Sequence, residues 1–182
     1  LNESPKSILL WRAMLQWLGG IGIIVMAITL MPIMNIGGMQ LFKISSSDTN
    51  EKILPKTKEI AIRLMLIYLS LTITCMVLYK LCGMSFFDSI THSMTTIATG
   101  GFSNYNESIG YFNNELIEIT SIIFIISGSI PFIIYLKFLN GDRKVFISDI
   151  QIRSFLKILI ISTFILFFYL VVKNKSFTDI SF

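Results

Sequence analysis

Residues 85–103 read SFFDSITHSMTTIATGGFS and lie between two long apolar segments. The stretch carries many hydroxyl groups and ends near a pair of glycines, Gly100 and Gly101. It is too polar and too short to cross a bilayer, since a spanning helix needs about 20 apolar residues. Non-helical backbone is tolerated at membrane depth only where protein buries it or where it lines water. The stretch therefore predicts a re-entrant loop, made of a half-length helix and an extended polar return.

The half-helix has its own start and end signals. Ser85 and Asp88 form the S-x-x-D pattern of a helix N-terminus, and we expect the helix to continue to about Ala98. Its last carbonyl groups would then be unsatisfied, and the negative end of the helix dipole would favour a cation beside Thr99 and Gly100. From these residues alone, a cation-binding re-entrant loop and an ordinary extracellular turn are equally good interpretations.

Backbone and hydroxyl oxygens supply the chemistry expected of this loop. Gly100 and Gly101 can adopt backbone angles that are closed to other residues, so that carbonyl groups can face one axis. The hydroxyl groups of Thr95, Thr96 and Thr99 would add further oxygen ligands. Rings of carbonyl oxygens that replace an ion's hydration shell are the means by which potassium filters select.

The composition is typical of a membrane protein. Of the 182 residues, 53% are hydrophobic and only 14% are charged, and the mean hydropathy is +0.73. The net charge of +4 comes without interleaved aromatic and basic residues, so we expect no nucleic-acid partner. Because HExxH, GxSxG and paired intramembrane carboxylates are missing from the sequence, we do not expect an enzyme. Cys75 and Cys82 are expected to be reduced core thiols.

Four apolar segments are expected to span the membrane, at about residues 15–36, 60–81, 116–138 and 158–172. The predicted fold class is an all-α integral membrane protein with about four transmembrane helices, one re-entrant pore half-helix and a filter loop. The lysines and arginines of two linkers, near residues 43–59 and 140–157, place both linkers on the cytoplasmic side. The re-entrant loop then faces the outside.

Four further features carry local predictions. Gly19, Gly20 and Gly22 predict close packing of the first span against a neighbour, in preference to a hinge. Residues 127–131 (SGSIP) predict a kink in the third span. Arg63 is expected to extend to the membrane interface. His92, the single histidine, is expected to be a hydrogen-bonded packing residue rather than a proton relay or ligand.

The order of these motifs resembles the second pore repeat of the Trk/Ktr family of potassium-transporter membrane subunits. The resemblance rests on residues 85–93 (SFFDSITHS), 95–103 (TTIATGGFS) and 108–112 (SIGYF) between apolar helices. Residues 11–23 (WRAMLQWLGGIGI) and 37–41 (GGMQL) resemble the helix that closes the first repeat of that family. The match is co-linear across essentially the whole chain.

The resemblance implies the residues of a potassium filter and the partners of the chain. The implied filter positions are Ala98, Thr99, Gly100 and Gly101, with Thr99 and Gly100 as the strongest carbonyl ligands of potassium. Potassium would be the transported ion, and the inner (plasma) membrane would be the location. A cytoplasmic nucleotide-binding regulatory subunit and a homodimer are also implied.

The resemblance also divides the chain into parts of successive repeats. Residues 1–42 would hold the closing helix of a preceding repeat, 43–59 a cytoplasmic linker and 60–139 a complete helix–pore loop–helix repeat. Residues 140–182 would hold a linker, a first helix and the start of the next repeat, because Ser176–Asp179 echoes Ser85–Asp88. The absence of an initial Met suggests an internal piece of a longer protein.

Three hypotheses follow for the function. The chain is part of a potassium-uptake subunit that works with the remaining repeats in the lipid bilayer. Alternatively, its single repeat assembles as a tetrameric channel. In the third hypothesis it is a nonfunctional or structural membrane piece of a split reading frame.

Overall fold

The computed structural model describes residues 4–34 and 53–173, and it folds them into seven α-helices and one short 3₁₀ helix with no strand. The predicted all-α class is confirmed. The α-helices are α1 (Lys6–Met34), α2 (Ile53–Leu81), α3 (Phe86–Ile97), α4 (Glu115–Ser129), α5 (Phe132–Leu139), α6 (Val145–Ser148) and α7 (Ile150–Lys173), and the 3₁₀ helix is Ser108–Phe112. The chain divides into two compact units, residues 1–136 and residues 137–182.

The short helix α3 lies in the interior of the first unit, where it packs against α1, α2 and α4. Its start agrees with the prediction, because the Ser85 hydroxyl accepts a hydrogen bond from the Asp88 backbone N–H at 3.1 Å. Asp88 in the first turn also suits the positive end of the helix dipole. The helix ends at Ile97, with Ala98 as its C-cap. A half-length helix buried among longer ones is the core of a re-entrant loop.

Two helices of the described residues carry segments long and apolar enough to cross a membrane, Glu59–Leu81 and Ile150–Val171. Helices α4 and α5 make a third if the bent pair is counted as one span. The first expected span, residues 15–36, lies on α1 as far as Met34, and its last two residues fall outside the described residues. Helix α1 is not among these candidate spans. Helix α2 begins at Ile53, so its first turns occupy part of the predicted linker 43–59. The rest of that linker and the Ser176–Asp179 repeat lie outside the described residues.

The third expected span is broken, and α4 and α5 meet at an angle of 86°. The break falls at Ile130 and Pro131, as the sequence predicts, because proline lacks a backbone donor and its ring clashes with the preceding turn. The Tyr135 hydroxyl donates to the Ser127 carbonyl at 2.7 Å. That bond satisfies a carbonyl group at the end of α4, where regular helical partners stop.

Helix α1 lies close to α2 and to the end of α3. The Tyr68 hydroxyl donates to the Trp17 carbonyl at 3.1 Å, and a Cβ placed on Gly20 would lie 2.8 Å from that same hydroxyl oxygen. The close-packing prediction is therefore confirmed for Gly20. A Cβ on Gly19 or Gly22 would meet nothing within 4 Å, so those two glycines have no packing role among the described residues.

Helix α2 carries an exposed ion pair and one of the two cysteines of the chain. Arg63 forms an ion pair with Glu59, one turn earlier, at 2.7 Å, and both side chains are more than half exposed. The guanidinium therefore lies at the surface near the start of the span Glu59–Leu81, with an ion-pair partner that the sequence did not predict. Cys75 on α2 and Cys82 just after it are both free thiols, as expected, but only Cys75 is buried in the core and Cys82 is half-buried.

Candidate functional site

The chain reverses direction immediately after α3. The backbone N–H of Thr99 donates to the Thr96 carbonyl at 3.0 Å, and the N–H of Gly100 donates to the Thr95 carbonyl at 3.1 Å. With Thr99 in the left-handed region, at φ 52°, these two bonds form a Schellman motif at the helix end. The expectation of unsatisfied carbonyls is therefore wrong for Thr95 and Thr96, because the loop folds back and caps them.

Thr99 has the strained backbone in this loop. Its φ of 52° lies in a region that costs a residue with a Cβ about 1–2 kcal/mol, and helices usually place glycine there. Gly101 also has a positive φ, of 71°, as the sequence predicts, whereas Gly100 does not. Strained residues of this kind cluster at functional sites because the surrounding structure must hold them. The strain thus falls on one of the two residues expected to be the strongest ligands.

The four expected filter residues lie consecutively after α3. Thr99, Gly100 and Gly101 are exposed, and Ala98 is half-buried. Three of the four residues are therefore accessible from outside the described part of the chain, as the ligands of an ion must be.

The hydroxyl groups of two other threonines are committed to the protein. Thr95 is buried and donates to the Phe102 carbonyl at 2.8 Å. Thr96 is buried and shares a 2.9 Å hydrogen bond with the Tyr79 hydroxyl, which also bonds Ser121 at 2.8 Å. The expectation that Thr95 and Thr96 add ion ligands is wrong, because burial turns these hydroxyls inward. They hold the loop instead of lining its open side.

Two helices enclose the loop from behind. A Cβ placed on Gly100 would coincide with the side-chain amide of Gln16 on α1. The Gln16 Oε1 atom is buried and has no hydrogen-bond partner among the described residues. On the other side, a Cβ placed on Gly128 of α4 would lie 2.6 Å from the Ile97 carbonyl oxygen. Glycine at position 128 thus lets α4 approach the backbone at the end of α3, and glycine at position 100 leaves room for the Gln16 side chain.

The return segment, residues 102–105, is hydrogen-bonded to one face of α3. That face carries polar residues at positions 88, 91, 92 and 95, the i, i+3, i+4, i+7 spacing of neighbours on a helix. The bonds are Thr95 Oγ1 to Phe102 O at 2.8 Å, His92 Nε2 to Ser103 Oγ at 3.0 Å, Asn104 Nδ2 to Thr91 Oγ1 at 2.7 Å and to Asp88 Oδ1 at 2.8 Å, and Tyr105 OH to Asp88 Oδ2 at 3.1 Å. Every residue of the return segment is thereby tied to α3.

His92 is fully engaged in this face. Its Nδ1 lies 2.9 Å from the Asp88 carbonyl oxygen, which can only accept, so Nδ1 donates. Burial lowers the pKa of His92, which favours the neutral ring. With Nδ1 donating, the neutral ring has Nε2 as an acceptor, and the Ser103 hydroxyl lies 3.0 Å from it. Ser103 Oγ in turn accepts the Tyr105 backbone N–H at 3.1 Å. The prediction of a hydrogen-bonded packing histidine is confirmed.

An aromatic cluster covers the outer end of the return segment. Tyr105 stacks on Tyr111 with ring centroids 3.5 Å apart, and Phe112 meets both rings edge-on. Burial, and next the Asp88 carboxylate, raise the pKa of Tyr105 to about 12. The phenol therefore stays protonated at physiological pH and can donate to Asp88.

Sequence reasoning missed several residues of the site. The sequence predicts Asp88 only as a helix-start residue, and it predicts no site role for Thr91 or Gln16. The polar spacing of α3 was a usable signal for Asp88 and Thr91. Nothing in the sequence pairs Gln16 with Gly100, since the contact depends on how α1 and α3 pack.

The fold and site define a class of protein. A buried half-helix between longer apolar helices, followed by exposed and strained backbone, is the arrangement of a membrane protein with a re-entrant pore loop. The chain belongs to the TrkH family of cation transport proteins, whose family model matches residues 1–180. The resemblance to the Trk/Ktr family is thus confirmed.

Curated relatives are similar over most of this chain. The Trk system potassium uptake protein TrkH of Vibrio parahaemolyticus is 40% identical over 98% of the chain, and the TrkH of Escherichia coli K12 is 37% identical over 98%. The chain spans about 38% of the length of these two relatives. The chain is also similar to the crystal structure of the potassium transporter TrkH from Vibrio parahaemolyticus, with a TM-score of 0.79 and 38% identity. The match covers 98% of this chain and 36% of the transporter chain.

Proposed function

We propose that this chain forms a pore repeat of a potassium-uptake transporter and supplies one quarter of its ion pathway. The observation that carries the proposal is the exposed, strained backbone of Thr99 directly after a buried re-entrant helix. The printed names of the relatives, potassium uptake proteins of the Trk system, support potassium as the ion.

The filter role falls on Ala98, Thr99, Gly100 and Gly101, with carbonyl oxygens as the ligands. Thr99 and Gly100 would bind potassium most directly, because both residues are exposed where the chain reverses after α3. A filter replaces the hydration shell of an ion with oxygens on all sides. One such loop is therefore insufficient, and the remaining repeats of the transporter are the required partners.

The charge distribution supports an orientation in the inner membrane. Basic residues concentrate in the two linkers, residues 43–59 and 140–157, which the positive-inside rule assigns to the cytoplasm. The filter loop then opens to the outside, where potassium enters. By family resemblance, a nucleotide-binding regulatory subunit would bind at the cytoplasmic face, and two transporter subunits would pair.

Potassium-limited growth of a transport-deficient bacterium tests the proposal. The chain is expressed alone and as a chimera in which residues 1–180 replace the matching segment of the Vibrio parahaemolyticus relative. Each form is also made with Gly100→Asp, which places a carboxylate against the amide of Gln16.

We expect growth to be restored by the chimera and abolished by Gly100→Asp. Rescue by the chain alone would favour a tetramer of single repeats. A chimera that inserts into the membrane without restoring growth would contradict the proposal and favour a nonfunctional piece.

A further inference from the structure

We propose that Asp88 is a positioning residue whose charge fixes the return segment and thereby sets the ion selectivity of the filter. The inference rests on the proposed function, because it assumes that residues 98–101 line an ion pathway. Asp88 lies at the opposite end of α3 from those residues. It would act on the ion only through the backbone that it holds.

The Asp88 carboxylate is buried, with 6% of the residue exposed. Three side chains donate to its two oxygens: Ser85 Oγ at 2.6 Å, Asn104 Nδ2 at 2.8 Å and Tyr105 OH at 3.1 Å. Ser85 belongs to the start of α3, while Asn104 and Tyr105 belong to the return segment. The carboxylate is therefore the point at which the two ends of the re-entrant loop are joined.

A negative charge suits this point better than a neutral amide would. A carboxylate accepts only, so it satisfies all three donors at once, and hydrogen bonds to a charged acceptor are roughly twice as strong as neutral ones. The N-terminal turn of α3 adds favourable dipole interaction with the charge. The three donors compensate a buried carboxylate that would otherwise be costly.

The joined ends leave the filter residues little freedom. The return segment starts at Phe102, one residue after Gly101, and each of its four residues is bonded to α3. The loop between Ile97 and Phe102 is consequently short and held at both ends. Its strained residue Thr99, at φ 52°, is held by the Schellman hydrogen bonds on one side and by this closure on the other. Loosening the return segment would let Thr99 relax and change the spacing of the ligand oxygens.

The chimera with the Vibrio parahaemolyticus relative provides the test. Uptake of potassium and of sodium is measured separately for the unmodified chimera, for Asp88→Asn and for the control Asp142→Asn, which removes an exposed carboxylate in the turn after α5. The ratio of the two uptake rates does not depend on how much folded protein is present. A purely structural role would lower both rates together and leave the ratio unchanged.

We expect Asp88→Asn to lower the potassium-to-sodium ratio by about fivefold, the effect of exchanging charge-assisted for neutral hydrogen bonds. Asp142→Asn should leave the ratio at the unmodified value. If Asp88→Asn does not reach the membrane, Tyr105→Phe takes its place. It removes one donor, keeps the ring that stacks on Tyr111, and should lower the ratio about twofold, against Tyr169→Phe as control.

An unchanged ratio in Asp88→Asn, or in Tyr105→Phe where that variant is used, would overturn the inference while the proposed function stands. Failure of the unmodified chimera to transport potassium would instead refute the proposed function. The two failures are therefore distinguishable in one experiment.

Discussion

Gly128 provides a direct test of how tightly the end of α3 is packed. A methyl group at this position would lie 2.6 Å from the Ile97 carbonyl oxygen and 3.2 Å from Thr99 Cγ2. The closer atom belongs to backbone, so the overlap cannot be relieved by rotating a side chain. We therefore expect Gly128→Ala to shift α4 or the end of α3, at the usual cost of overpacking, about 1–3 kcal/mol.

The cost of overpacking at Gly128 is separated from the helix preference of alanine by comparison with Gly19→Ala. A Cβ at Gly19 meets nothing within 4 Å, so this variant gains only the helix preference of alanine over glycine, about 0.5–1 kcal/mol. Gly128 is also helical and gains the same term, which cancels in the comparison. The free energy of unfolding of Gly128→Ala should therefore lie about 1–3 kcal/mol below that of Gly19→Ala.

The assay is equilibrium unfolding of the detergent-solubilised chimera, followed by potassium uptake in vesicles. We expect uptake by Gly128→Ala to fall, because the displaced atoms adjoin the expected filter residues. Equal unfolding free energies and equal uptake rates for the two variants would refute the close approach of α4 to α3.

Three further predictions concern the core and the filter loop. Tyr79→Phe leaves the buried Thr96 hydroxyl without its partner, so the free energy of unfolding should fall by about 1–3 kcal/mol, whereas the exposed Tyr169→Phe should not change it. Thr99→Gly removes a left-handed strain of about 1–2 kcal/mol, so it should not destabilise the chimera but should reduce its potassium-to-sodium uptake ratio. Because burial lowers the pKa of His92, the unfolded chain binds its proton more readily, and thermal stability should be full above about pH 6.5 and decline below it.

Each of these predictions has a contrary outcome. Tyr79→Phe with unaltered stability would mean that the Thr96 hydroxyl finds another hydrogen-bond partner. A marked loss of stability in Thr99→Gly would show that its side-chain contacts outweigh the backbone strain. For His92, the pH dependence should disappear in His92→Gln, and its persistence there would assign the titration to another group.

The re-entrant helix could be predicted because its signals are local. Ser85 and Asp88 mark the start of α3, and the glycine pair marks the region where the helix has already ended. The bend at Pro131 was predictable for the same reason, since proline acts through its own missing N–H and ring. Such features depend on one short stretch of sequence and need no knowledge of neighbouring helices.

The conformation of the filter loop could not be predicted in detail. Glycine is the residue normally assigned to the left-handed position after a helix, so Gly100 was the natural choice, yet Thr99 occupies it. The Schellman hydrogen bonds make Thr99 the left-handed residue, and contacts from α1 and α4 hold the loop in that conformation despite the usual preference for glycine. These contacts come from distant parts of the chain, and propensity carries no information about them.

The polar face of α3 falls between these cases. Its spacing was visible in the sequence, at positions 88, 91, 92 and 95, but polar residues so spaced also describe a solvated helix surface. Only the burial of Asp88 and His92, together with the bonds to Asn104 and Tyr105, shows that the face holds another segment. The polar spacing on α3 could thus be read from the sequence, whereas its role in binding the return segment could be seen only from the tertiary packing.

The contact between Gln16 and Gly100 has a consequence for the order of assembly. The space behind Gly100 is filled by a helix that precedes it in the chain, and that helix is itself held to α2 through Tyr68 and Trp17. Chains are synthesised from the N-terminus, and earlier parts fold first. Helix α1, against which the re-entrant loop packs, is therefore synthesised before the loop. The side chain that fills the space behind Gly100 is then already present when the re-entrant loop folds.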